Sequence, residues 1–231
     1  MSKPVAVIPA RGNSKRIPNK NVKLFGGKPI IVRAIETILA SKVFSDIFIS
    51  TESSEIADLA KSAGASVPFI RPTELSGDDV RADAVMNHMA NWITKNYGEL
   101  DICCVLPTTP GLIAEDFRKS YEKWEQIKTQ VKTLFAVTEY PTTAFRSFTL
   151  NPEQKLTPLF PEKLLLQTQD LEKTYTDAGQ FYWASAQTWL TTLSITTEDG
   201  AAFLLPQERA VDINEPKDWI LAEIFLLKTL R

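Results

Sequence analysis

DIFISTESSEIADLAKSAG, residues 46–64, reads as a strand followed at once by a helix. DIFIST (46–51) is a short apolar run bounded by polar residues, as expected of a buried strand. In SSEIADLAKSAG (53–64), Ser53 or Ser54 supplies the helix N-cap and Gly64 the stop. The same alternation extends outward in both directions. PVAVIP (4–9), DICCVLP (101–107) and TLFAVT (133–138) read as buried strands. PIIVRAIETILASKVF (29–44), ADAVMNHMANWITKNYG (82–98) and AEDFRKSYEKWEQIK (114–128) read as helices. Strands alternating with helices of this length imply an α/β fold with a doubly wound, mostly parallel sheet, here as one domain over 1–231.

The rhythm changes between 139 and 176, where four prolines, many threonines and no helical period predict an excursion of hairpins and loops. Its apolar content is too high for a disordered linker. GQFYWAS (179–185), AAFLLP (201–206) and a closing helix over 215–231 restore regularity.

Composition excludes several classes. The 231 residues are 44% hydrophobic, ordinary for a globular chain with a sizeable core, and carry a net charge of −2. That charge argues against a broad nucleic-acid-binding surface. No apolar run approaches the roughly 20 residues of a membrane span, and MSKPVAVIPA lacks the apolar core of a signal peptide. Cys103 and Cys104 are adjacent, lack zinc or CxxC spacing, and are expected as buried reduced thiols. A cytoplasmic protein is the expectation.

Charge is concentrated after the first strand. In PARGNSKRIPNKN (9–21), Arg11, Lys15, Arg16 and Lys20 occur without an acid. Ligands of open parallel sheets gather outside the carboxyl ends of strands, so this loop stands where a ligand would. Turn amides with guanidinium and ammonium groups suit a phosphate chain. The loop is neither a Walker A motif nor GxGxxG, and on chemistry alone a solvated surface loop fits as well.

The motif PARGNSKRIPNKN resembles the signature of the acylneuraminate (CMP-sialic acid type) cytidylyltransferases. Similar segments follow in order: DIFISTESSEIADLAKSAGASVPFIRPTELSGDD, VLPTTP and VDINEPKDW, so the likeness spans nearly the whole chain. QDLEKTYTDAGQFYW is most similar to the pseudaminic acid branch of that family. The resemblance implies a Rossmann-like, nucleotide-diphospho-sugar transferase-like fold. It also implies transfer of CMP from CTP to the anomeric hydroxyl of a nine-carbon sugar acid, with pyrophosphate leaving and Mg²⁺ as cofactor. Two alternatives stay open: the same reaction on N-acetylneuraminate or legionaminate, and a nucleotide-binding regulatory protein without turnover.

The resemblance also assigns residues. Arg11 and Lys20 are expected on the phosphates, with Ala10, Gly12, Asn13, Ser14, Lys15 and Asn21 completing the loop, and Arg71 lining the nucleotide pocket. Ala82 replaces an expected hydroxyl near the cytosine, leaving Asp83 or main-chain groups for base recognition. Leu106, Thr108, Thr109, Gln180 and Tyr182 are expected on the sugar side, whereas Phe181 and Trp183 fit core positions. Asp212 is expected on Mg²⁺. Asn214 stands where the family has a second aspartate, so it is expected either to add a neutral oxygen ligand or only to cap the last helix. The resemblance further implies a homodimer, with the 139–176 excursion at its interface and Arg146 reaching a sugar carboxylate across it or staying a surface arginine. His88, the one histidine, fits a packed or capping role in its helix better than a catalytic one.

Overall fold

The computed structural model describes residues 3–192 and 194–227. In chain order, β1 (Val5–Pro9) precedes a short ribbon, β2 (Leu24–Phe25) and β3 (Lys28–Pro29), and then α1 (Ile30–Ser41). Next come β4 (Asp46–Ser50), α2 (Ser54–Ser62), α3 (Ala82–Tyr97), β5 (Asp101–Val105), α4 (Ala114–Ile127) and β6 (Thr133–Glu139). A hairpin follows, β7 (Phe148–Leu150) with β8 (Leu156–Pro158), then β9 (Tyr175–Ser185), α5 (Ala186–Thr191), β10 (Gly200–Leu204) and α6 (Pro216–Ala222). The predicted elements are present with shifted ends. The predicted closing helix runs on past α6 as a π-helical turn, Glu223–Leu227, and its positions 228–231 lie outside the described residues. The ribbon β2–β3 and the short α5 had no expectation attached.

The main sheet has the order β10-β6-β9-β5-β1-β4. β1 pairs in parallel with β4 on one side and β5 on the other, and β10 pairs in parallel with β6. β9 is the exception: it runs antiparallel to both β5 and β6. Its direction follows from its connection. A parallel return needs a crossover that spans the sheet. The segment between β6 and β9 instead folds as the hairpin and single 3₁₀ turns at Ala144–Arg146, Pro161–Lys163 and Thr168–Asp170. The chain therefore re-enters beside β6 at the same end of the sheet where it left, with Tyr175 opposite Glu139.

Alternation along the strands divides the core in two. Ala6, Ile8 and Cys103 face α1, α2 and α4, packing on Ile31, Ile35, Ile56 and Phe117. Val5, Val7 and Cys104 face α3 and α5, packing on Met86, Met89, Ile93 and Trp189. The adjacent cysteines thus point to opposite faces and are free thiols, and burial pushes both pKa values up. Ser53 caps α2 by accepting from the Ile56 amide at 3.3 Å, and Gly64 follows with φ of +96°. Phe181 and Trp183 are buried in the first core. His88 stands edge-on to Phe69, 5.0 Å between ring centroids.

A third, smaller cluster positions the site. Ile17 of the basic loop is buried with Phe25, Ile30, Ile213 and Trp219. One isoleucine inside an otherwise polar loop therefore pins it against the segment before α6. Among the described residues no helix is long and apolar enough to cross a membrane.

Candidate active site

A cleft of about 280 Å³ opens at the carboxyl ends of β1 and β5. It lies beside β1, where the sheet order turns from β4 on one side to β5 on the other, the position expected of a ligand site in such a sheet. Arg11, Lys20, Asn21, Arg71, Ala82, Leu106, Thr108, Asp212 and Asn214 all line it. Residues from five separate stretches of sequence are thus brought to one surface.

Each side chain is held by identifiable contacts. Lys20 Nζ donates to the Ile213 carbonyl at 2.7 Å, which ties the loop to the segment that carries Asp212. Burial pulls the Lys20 pKa below the ordinary lysine value, and the neighbouring Asp212 charge acts against that shift. Asn21 Nδ2 donates to the Arg11 carbonyl at 2.8 Å, while its buried Oδ1 has no protein partner. Arg71 is buried; its Nη2 donates to Glu52 Oε2 at 2.6 Å. Glu52 Oε1 accepts the Gly12 amide at 2.6 Å. One carboxylate thereby joins the basic loop to Arg71. A Cβ on Gly12 would meet Ser53 Cβ at 2.9 Å, so glycine is what permits this close approach.

Asp212 sits over a distortion of β9. The β6–β9 register shifts between Phe135 and Val137, and Gly179 adopts φ of +61°. A Cβ at Gly179 would lie 2.8 Å from Asp212 Cγ. Glycine in DAGQFYW therefore serves twice, accepting a left-handed backbone and leaving room for the carboxylate. Burial raises the Asp212 pKa, opposed by its bond from Asn214 and by Lys20. Asn214 Nδ2 donates to Asp212 Oδ2 at 2.5 Å, and Asn214 Oδ1 accepts from Arg16 Nη2 at 2.8 Å. Only this amide orientation satisfies both neighbours. The Asn214 side chain does not cap α6; Asp218 Oδ2 instead accepts the Asn214 and Glu215 amides at 2.9 and 2.7 Å.

Several expected residues are placed elsewhere. The Ala10 amide is used by the Ser50 carbonyl at 2.9 Å, and Asn13 lines a separate hollow behind the loop with Glu52 and Glu55. Ser14 is half-buried and does not line the cleft. Asp83 is outside the cleft: its Oδ2 accepts Arg81 Nε at 2.9 Å and its Oδ1 the Ala84 amide at 2.8 Å. Thr109 turns back, donating to the Leu106 carbonyl at 2.8 Å. Gln180 is buried and donates to the Val211 carbonyl at 3.2 Å. Tyr182 lies in the second core, its hydroxyl donating to Asp177 Oδ2 at 2.8 Å, and burial raises its pKa. Arg146 donates to the carbonyls of Leu164, at 2.8 Å, and Leu166, within the excursion.

Glu52, Asp78 and Gly179 are site residues that sequence reading passed over. Glu52 stands next to the Ser53 cap in sequence, and Asp78 lines the cleft and meets Arg11. Gly179 sat in a motif quoted for its neighbours.

A family model described as "Cytidylyltransferase" matches residues 5–186. The chain belongs to the cytidylyltransferase family. It is 37% identical to the pseudaminic acid cytidylyltransferase of Campylobacter jejuni serotype O:2, over 96% of this chain and 95% of that one. It is 30% identical to the CMP-N,N'-diacetyllegionaminic acid synthase of Legionella pneumophila, over 95% of this chain and 94% of that one. In fold it is similar to a CMP:2-keto-3-deoxy-manno-octonic acid synthetase solved with CTP. That match has a TM-score of 0.70 and 14% identity, and covers 99% of both chains.

Proposed function

We propose that this cytidylyltransferase transfers CMP from CTP to a nonulosonic acid, with pseudaminic acid as the preferred acceptor. The observation that carries the reading is the convergence of Arg11, Lys20 and Arg71 with Asp212 on one cleft. Full-length similarity to a pseudaminic acid cytidylyltransferase supports the choice of acceptor. In this reading the sugar's anomeric hydroxyl attacks the α-phosphorus, the bond to the β-phosphate breaks, and pyrophosphate leaves. Arg11 and Lys20, both lining the cleft, would meet the negative charge that accumulates on the leaving group, where preset charges act most strongly. Leu106 and Thr108 line the cleft at the end of β5, on the side assigned to the sugar.

Mg²⁺ is part of the proposal. Among the described residues no group of three or more acidic, histidine or cysteine side chains forms a protein-only metal site. Mg²⁺ is commonly held by one or two carboxylates plus substrate phosphates, and Asp212 fits the role of single carboxylate. The ion would neutralise phosphate charge when bound with the nucleotide. Asn214, with its amide nitrogen on Asp212 and its oxygen on Arg16, orients that carboxylate.

A homodimer is proposed through the excursion. Phe148, Leu150, Leu156 and Leu159 are exposed there, and Leu165 is 96% exposed. Exposed apolar side chains concentrated in one segment are the kind of feature an interaction face uses.

The test is pyrophosphate release from CTP and Mg²⁺ over a panel of sugar acids. Higher kcat/KM for pseudaminic acid than for N-acetylneuraminate or legionaminate is expected. Equal or reversed preference overturns the choice of acceptor; CTP binding without release for any acid favours the non-catalytic alternative.

A further inference from the structure

The basic loop already holds an anion of its own. Arg11 Nη1 donates to Asp78 Oδ1 at 2.9 Å, and Lys15 Nζ meets Asp78 Oδ2 at 2.5 Å. One carboxylate thus bridges two loop cations, using one oxygen for each, as a phosphate group would. Asp78 lines the cleft together with Arg11 and Lys20. Lys15 is 82% exposed and reaches back over the loop to make this contact. The Lys15 contact holds the Asp78 carboxyl below its ordinary pKa, and Asp78 in turn holds the Lys15 ammonium above its own. Both groups are therefore charged at neutral pH.

We infer that Asp78 occupies the place of a nucleotide phosphate in the free protein and competes with incoming phosphates for the loop. The inference rests on the phosphate-binding reading of the cleft. An incoming polyphosphate must displace the carboxylate from Arg11 and Lys15 before it gains those contacts. A ligand held only by its phosphates, such as free pyrophosphate, bears that cost without compensation. CTP bears the same cost but is held by its base and ribose as well, so Asp78 weakens both ligands and keeps free pyrophosphate from lingering on the loop. Asp78 sits in the loop 76–81 that leads into α3, whereas both cations sit in the loop after β1. Displacement thus separates two loops with no change in the sheet.

The probe is inorganic pyrophosphate, titrated calorimetrically into the whole protein with EDTA and again with Mg²⁺. Asp78→Asn keeps the shape and removes the competing charge. It should bind pyrophosphate about tenfold more tightly in both conditions, the order expected for releasing two exposed ion pairs. Stronger product inhibition by pyrophosphate and a lower KM for CTP should accompany it. Asp79→Asn, which removes a neighbouring charge that does not bridge the pair, should change affinity far less. Unchanged affinity in Asp78→Asn overturns the inference and leaves the phosphate site intact. Weaker binding in Mg²⁺ alone overturns it too, since Asp78 would then be contributing to metal binding. If neither the parent nor Asp78→Asn, both folded, binds pyrophosphate, the phosphate reading of the loop fails and this inference fails with it.

Discussion

Arg11 is expected on the phosphates and Arg146 either on a sugar carboxylate or at the surface, and the structure treats them differently. Arg11 is paired with Asp78, a side-chain carboxylate on a separate loop. Arg146 is bonded to the backbone carbonyls of Leu164 and Leu166, in the same excursion as itself. A carboxylate can be exchanged for a phosphate with little loss, because it is a like-charged oxygen acceptor on a mobile side chain. A carbonyl belongs to the chain that the arginine organises, and leaving it would undo the local fold. The partner's replaceability, more than the charge itself, separates a ligand-directed arginine from a structural one.

Substitutions around the two arginines test that distinction. The largest effect is expected at the anionic side of the cleft: Asp212→Asn should abolish turnover at ordinary Mg²⁺ levels. Asn214→Asp should retain activity and lower the Mg²⁺ concentration for half-maximal rate. A fully active Asp212→Asn enzyme would place the metal elsewhere. Next comes Arg11→Ala, for which kcat/KM should fall by about 10²–10³, the usual loss for one preset charge-stabilising donor. Its melting temperature should stay within a degree or two, because exposed ion pairs contribute little to folding.

Arg146→Ala should show the converse pattern. Leu164 and Leu166 lose their donors, at a cost of about 1 kcal/mol for each partly solvated carbonyl. Amide exchange should quicken between 144 and 167, and dimerisation measured by sedimentation should weaken. The KM for CTP should be unchanged. A selective rise in KM for the sugar acid would instead put Arg146 on the substrate.

The smallest effect concerns pH. In the proposed reaction Lys20 acts protonated, and its pKa is lowered by burial. The alkaline limb of kcat/KM should therefore lie below the ordinary lysine value, and Lys20→Arg should move it upward. For stability the sign is opposite to that of a paired lysine. Above the lowered folded-state pKa, the unfolded chain still binds the proton that the folded chain has lost. Stability should then rise slightly with pH across that window, up to the unfolded value. A limb unmoved by Lys20→Arg would assign it to another group.

Sequence alone determined the β/α alternation, the two-faced core and the position of the basic loop. These follow from periodicity and caps, which are local: apolar runs buried on both faces, Ser53 and Gly64 bounding α2, and cations without an acid after β1. The absence of a helical period between 139 and 176 was legible too, although its consequence, an antiparallel β9, depended on where the chain re-entered the sheet. Tertiary structure decided which side chains of the quoted motifs meet the cleft. Asp83, Thr109, Gln180 and Tyr182 carry suitable chemistry, yet each is already committed to a partner within the protein. Glu52 and Asp78 became part of the site through contacts spanning 40 and 67 residues of sequence. Periodicity fixes which face of its own element a side chain leaves from. What stands opposite that face is set by segments far away in the chain, and only their packing determines it.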